Sequence, residues 1–132
     1  MYSIPLTVHF RNGYAVAVQP AEIDLTNASM VSDTLLALLN PGMPGVVADM
    51  GRTRFCDLAG MRAIVAAQRR AQAAGARLGV VIPRPAACRV FTLTGADALI
   101  RFFPSLEVAL AVLPGTAGPA PLGGLLPAAQ TG

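Results

Sequence analysis

From Ser3 to Phe10 the chain alternates, with Ile4, Leu6, Val8 and Phe10 on one side and Ser3, Pro5, Thr7 and His9 on the other. A period of two is that of a strand with one buried face, and it puts His9 on the outer face. Asn12-Gly13 comes next, and both residues tolerate the positive φ that a two-residue hairpin turn requires. Tyr14, Val16 and Val18 resume the alternation until Gln19-Pro20 ends it. The chain is therefore predicted to open with an antiparallel hairpin.

Further along, Met30, Val31, Leu35, Leu38 and Leu39 recur at helical spacing. Asn40-Pro41-Gly42 stops that helix, because proline cannot continue its hydrogen-bond ladder. In "GVVADM" the apolar residues are consecutive, as in a strand covered on both faces. Leu58 to Ala74 carries the longest helical pattern. Met61, Ile64, Val65 and Gln68 mark one face, Arg62, Arg69 and Ala73 another, and Gly75 is a natural C-terminal cap. "ARLGVVIP" predicts a further strand closed by Pro83, and Pro85 suits the first turn of a short helix that reaches Leu93 and ends at Thr94-Gly95. "LIRFF" reads as a last short strand. Ser105 then caps a final helix ending at Pro114, with Glu107 in its first turn, where negative charge favours the helix dipole.

The expected order is β-β-α-β-α-β-α-β-α. Strands separated by helices need crossover connections, which makes this an α/β fold: a mixed, mainly parallel sheet of about five strands with an N-terminal antiparallel hairpin, packed against about four helices. Residues 1–113 form this single domain. Residues 114–132 hold four prolines, five glycines and no charged residue, the composition of a flexible tail, in which Leu122, Leu125 and Leu126 could dock.

Composition narrows the function. Apolar residues make up 54% of the chain and charged residues 13%, which suits a packed core and not a disordered regulator. No run of about 18 apolar residues suggests a membrane span. "MYSIPLTVHF" lacks the basic start, apolar middle and cleavage site of a secretory signal, so a cytoplasmic location is expected. All ten basic residues are arginines, spread along the chain without an aromatic-rich basic motif, and no nucleic-acid partner is implied. Cys56 and Cys88 form no CxxC and are expected to be reduced, buried small hydrophobes. A single histidine, His9, cannot build a metal site, and no cofactor of any kind is expected.

The stretch with most chemistry is "VVADMGRTRFCDLAGM". A buried strand ends in Asp49, a loop carries Arg52, Thr53 and Arg54, Phe55-Cys56 return to the core, and Asp57 opens the long helix. As an N-cap, Asp57 can accept from the N–H of Ala59 or Gly60, worth about 1 kcal/mol against alanine. Gly60 costs helix propensity but permits a close backbone approach. Asp49 and Asp57 invite a paired-carboxylate reading, yet no nucleophile, histidine or metal cluster accompanies them, and an enzyme is not expected.

These residues resemble the STAS domain family, named for sulfate transporters and anti-sigma factor antagonists. Its pattern is a strand ending in Asp, a short segment with a late aromatic, then Asp-Ser-Ser-Gly-Leu or a near variant opening a helix. Asp49, Phe55, Asp57, Gly60 and Met61 meet it here. "AEIDLTNAS" resembles the family's Gly-Glu-hydrophobic-Asp segment through Glu22, Asp24 and Thr26, with Ala21 in place of the usual Gly. "AAGARLGVV" and "VFTLTGADALIRFFPSLEVAL" resemble its later strand and its ending, so the resemblance spans residues 3 to 113.

In the antagonist branch, the resemblance implies, the serine after the motif's Asp is phosphorylated by a partner anti-sigma factor that is also a serine kinase. The phosphorylated antagonist then lets go. Leu58 occupies that position here and Ala59 the next, so no phosphorylation is expected there. Thr53 is the substitute hydroxyl to weigh, against an ordinary threonine of an exposed loop. The expected partner surface comprises Asp24, Arg54, Asp57, Leu58, Met61 and Arg62. Leu58 and Met61 together form a sticky apolar contact if Leu58 faces out, and extend the core if it faces in. The expected function is a non-catalytic, anti-sigma factor antagonist-like module that regulates transcription in a bacterial cytoplasm by binding an anti-sigma factor. The alternatives are a STAS subunit of a membrane transport or signalling complex, and a domain binding a small anion or nucleotide.

Overall fold

The computed structural model describes residues 6–39, 42–82 and 84–115. Ile4, the Asn40-Pro41 helix stop, Pro83 and the expected flexible tail beyond residue 115 lie outside the described residues. The chain runs β1 (Thr7–Arg11), β2 (Tyr14–Val18), β3 (Glu22–Ile23), α1 (Ala28–Leu38), β4 (Gly45–Asp49), β5 (Phe55–Cys56), α2 (Leu58–Ala74), β6 (Arg77–Val81), α3 (Pro85–Thr94), a 3-10 turn (Ala96–Leu99), β7 (Phe102–Phe103), α4 (Leu106–Val112) and a second 3-10 turn (Leu113–Gly115).

Asn12 and Gly13 take φ values of 56° and 83°, the doubly positive geometry of a tight hairpin, and β1 pairs antiparallel with β2. The remaining pairs of the main sheet are parallel, giving the order β1-β2-β4-β6-β7. Both faces are covered, which is why the central strands read as unbroken apolar runs. On one face Ala15, Ala17, Val46, Ala48, Leu78 and Val80 belong to a core with Val31 and Leu35 of α1, Ile64 and Ala67 of α2 and Phe91 of α3. On the other, Tyr14, Val16, Val47, Val81 and Phe103 share a core with Ala109 and Leu110 of α4 and with Leu113.

The first strand departs from its pattern. Phe10, expected on the buried side, is 63% exposed, because it stands near the turn end of the edge strand β1; of that row Leu6 is buried in the core and Val8 packs against it. His9 is opposite Val16 in the register, which turns it toward the α4 face, half-buried and not on an open outer face. The short parallel ribbon of β3 and β5, separate from the main sheet, was not expected either. Two-residue strands carry no period to read.

Candidate functional site

The site is built where the β3–β5 ribbon meets the first turn of α2. Beyond β4 the Asp49 carboxylate accepts from the Gly51 N–H at 2.9 Å and turns the chain. Thr53 then donates its N–H to the Met50 carbonyl at 3.0 Å and its hydroxyl to the Pro20 carbonyl at 2.8 Å. Its side chain is fully buried. The expectation that Thr53 sits at the surface is therefore corrected: its hydroxyl is a strut between two loops and is not presented to a kinase.

Next, the Arg54 N–H donates to the Ala21 carbonyl at 2.7 Å and the Asp57 N–H to the Ile23 carbonyl at 3.0 Å. These bonds bracket the pairing of Glu22 with Phe55 and Ile23 with Cys56. One step further in the same parallel register stand Asp24 and Asp57, so two candidate carboxylates 33 residues apart in sequence leave the ribbon at the same level. Each is held by its own neighbours. Asp57 has extended backbone and its Oδ1 accepts from the Gly60 N–H at 2.9 Å, the N-cap that opens α2. Asp24 accepts from the hydroxyl of Thr26 and, at 2.9 Å, from its N–H, and these bonds hold the carboxyl below its usual range. Asn27 clasps the same loop, its Oδ1 accepting from the Asp24 N–H at 3.0 Å and its Nδ2 donating to the Glu22 carbonyl at 2.8 Å.

Cys56 is buried beneath this cap. Burial, and secondarily the Asp57 charge, pushes its thiol up to about 12, so it is no nucleophile. Phe55 does not return to the core with it. Neighbouring strand residues point to opposite faces, and Phe55 is 50% exposed. Leu58 and Met61 divide in the same way. Leu58, on the first turn of α2, is 42% exposed, whereas Met61 is buried in the core, which corrects the idea of a joint sticky contact. Leu25, in the loop after Asp24, is exposed as well. Leu25 and Phe55 were not among the expected contact residues. The alternation of Phe55 with a buried Cys56 is the signal that could have found the second. Arg62 is exposed, and Arg54 reaches the Glu22 carboxylate at 3.4 Å with both side chains largely in solvent, a weak and easily exchanged pair.

The site thus offers exposed apolar side chains among charges of both signs. Among the described residues, no group of three or more His, Cys, Asp or Glu side chains is arranged to hold a metal, and no helix is long and apolar enough to cross a membrane.

Residues 20–101 match the family model described as Mlab, STAS domain. The chain belongs to the STAS domain family. No curated protein matches its sequence. Among solved structures, this STAS domain is similar to an anti-sigma factor antagonist from Mycobacterium paratuberculosis, with 27% identity, a TM-score of 0.75, and 85% of this chain and 95% of that one covered. It also resembles the anti-sigma factor antagonist SpoIIAA in its unphosphorylated form, with 17% identity, a TM-score of 0.68, and 85% and 98% covered. A third likeness is to the murine anion transporter Slc26a9, with 15% identity and a TM-score of 0.61. There 79% of this chain matches 18% of the transporter. The last two likenesses establish the STAS fold.

Proposed function

We propose that this STAS domain is an anti-sigma factor antagonist: a non-catalytic module of a bacterial cytoplasm that regulates transcription by docking an anti-sigma factor. The docking surface is the start of α2 and the ribbon beside it, with Arg54, Leu58 and Arg62 exposed, Asp24 and Asp57 half-buried beside them and Met61 supporting them from beneath. One observation carries this reading. Leu58 is exposed on the first helical turn, directly after the capping Asp57, where the antagonist branch has its regulated serine. A helix N-terminus with free N–H groups suits a phosphate, and the added charge would expel a docked partner. Leucine keeps the docking position and removes the switch. The likeness to the mycobacterial antagonist supports the partner class.

The test is co-purification. A soluble, ATP-binding, kinase-like anti-sigma factor should be recovered with the protein, its binding should survive incubation with ATP, and mass spectrometry should find no phosphate on residues 53–61. Stoichiometric phosphorylation with loss of the partner would overturn the unswitched reading. A second reading, a STAS subunit of a transport complex, is favoured by the likeness to a segment of the murine transporter. Recovery of a membrane permease or its ATPase would select it.

A further inference from the structure

Below the Leu58 surface, a groove continues along α2. Its upper part, about 410 Å³, has Met61, Val65, Ala96 and Leu99 among its lining, with the guanidinium-bearing Arg62 and Arg69 beside them. A lower part of about 250 Å³ continues past Val65, Arg69 and Leu99 to Gln68 and Gln72. From Met61 to Gln72 the helix rises about 16 Å. The apolar part is contributed by both walls, α2 on one side and the 3-10 turn Ala96–Leu99 on the other, and Leu99 is 46% exposed.

Its charge is one-sided. Arg62 and Arg69 are exposed, seven residues apart on one face of α2, hence two turns or roughly 10 Å along the axis. Neither joins an ion pair among the described residues, where the Arg54–Glu22 pair is the one formed. No lining residue is acidic; Asp97, on the facing turn, lines a different cavity. An apolar floor with two unpaired cations at fixed spacing is complementary to an amphipathic helix whose apolar stripe is flanked by carboxylates two turns apart.

We infer that this groove docks an acidic amphipathic helix of about eleven residues from the partner protein, extending the contact that begins at Leu58. The inference rests on the reading of α2 as the docking helix and specifies the chemistry of what docks. Leucine or methionine side chains of the partner fill the space over Val65 and Leu99. Glutamate or aspartate side chains at an i, i+7 spacing meet Arg62 and Arg69.

Two synthetic fourteen-residue helical peptides provide the probe, one with a leucine stripe and glutamates at i, i+7, the other with lysines in their place. Binding is read by fluorescence anisotropy and mapped by backbone amide chemical shifts of the full chain. The acidic peptide should bind at least tenfold more tightly at low salt, with the gap closing as salt rises. Shifts should concentrate on residues 61–72 and 94–99. Arg69→Glu, which leaves Arg62 in place, should erase the peptide preference, and Leu99→Ser, a change at a half-exposed position, should weaken both peptides. Equal binding of the two peptides, or shifts mapping elsewhere, overturns the proposal. So does self-association through the same residues as concentration rises, or a change of groove shifts on removing residues 116–132, since either would name a different occupant. Leu58→Asp separates the two levels. If it abolishes anti-sigma factor binding while Arg69→Glu and Leu99→Ser leave that binding intact, the groove is not used and the proposed function stands. If Arg69→Glu erases peptide choice but no variant disturbs anti-sigma factor binding, the proposed docking surface on α2 fails and the groove serves another partner.

Discussion

Gly60 lies against Ile23 with no room for a methyl group: a Cβ there would come within 2.7 Å of Ile23 Cγ2 and equally close to Cys56 Sγ. The first turn of α2 is therefore seated on the β3–β5 ribbon at backbone distance. That contact keeps the Asp57 cap and the Asp24 loop side by side.

Gly60→Ala tests this seating, because two effects oppose each other. Alanine is favoured over glycine within a helix by about 1 kcal/mol. Overpacking against two buried side chains on a paired ribbon costs about 1–3 kcal/mol. The clash should win, and urea denaturation should find the variant less stable than the parent. A more stable variant would mean that the helix start shifts freely on the ribbon.

The two cysteines should differ in reactivity. Cys56 is buried with its thiol pushed up to about 12, whereas Cys88 is half-buried. At pH 8 iodoacetamide should modify Cys88 first and reach Cys56 only in denaturant. The folded state holds the Cys56 proton more tightly than the unfolded chain, whose thiol titrates near 9.0. This contribution to stability is full below about pH 9 and is lost as the pH climbs toward 12. Cys56→Ala should flatten the pH dependence of stability in that window. Alkylation of both cysteines at the same rate in the native protein would contradict the burial.

Much of this arrangement was legible in the residues themselves. Asp57 and Gly75 mark the two ends of α2, Asn12-Gly13 marks the hairpin, and the unbroken apolar runs mark strands covered on both sides. What escaped depends on distant parts of the chain. The Thr53 hydroxyl is satisfied by a carbonyl 33 positions away, so its burial has no local sign. Asp24 stands beside Asp57 only because two strands of two residues pair. Leu58 and Met61 are both apolar on the first turns of one helix. Which of them faces the core is decided by the packing of α2 on the sheet and not by their own chemistry.

Arg101 should be a site of stored instability. It is 8% exposed, and among the described residues its Nε and Nη2 lack hydrogen-bond partners, as does the buried Nε of Arg77. Burial, and then the neighbouring Arg77 charge, lowers its pKa from the usual arginine value. A buried cation without a carboxylate costs stability that an apolar side chain of similar length would not. Arg101→Met should therefore raise the denaturation midpoint, reflecting a stability gain on the order of 1 kcal/mol. A lower midpoint would mean that the guanidinium is satisfied in solution by a contact the fold does not display.

Substitutions at Asp57 and Leu58 should separate folding from docking. Asp57→Ala removes the carboxylate that accepts from the Gly60 N–H, and loss of such a cap costs about 1 kcal/mol. Its effect should be seen in denaturation. Leu58→Asp acts in the opposite sense on the helix, since a negative charge on the first turn is favoured by the dipole by about 0.3–1 kcal/mol, and little apolar burial is given up at a 42% exposed position. Stability should hold or rise slightly while anti-sigma factor affinity, measured by calorimetry, falls at least tenfold. A loss of binding without a loss of stability cannot be ascribed to unfolding, and it would assign the exposed leucine to the contact itself. Unchanged affinity in a stable Leu58→Asp protein would move the docking surface away from the start of α2.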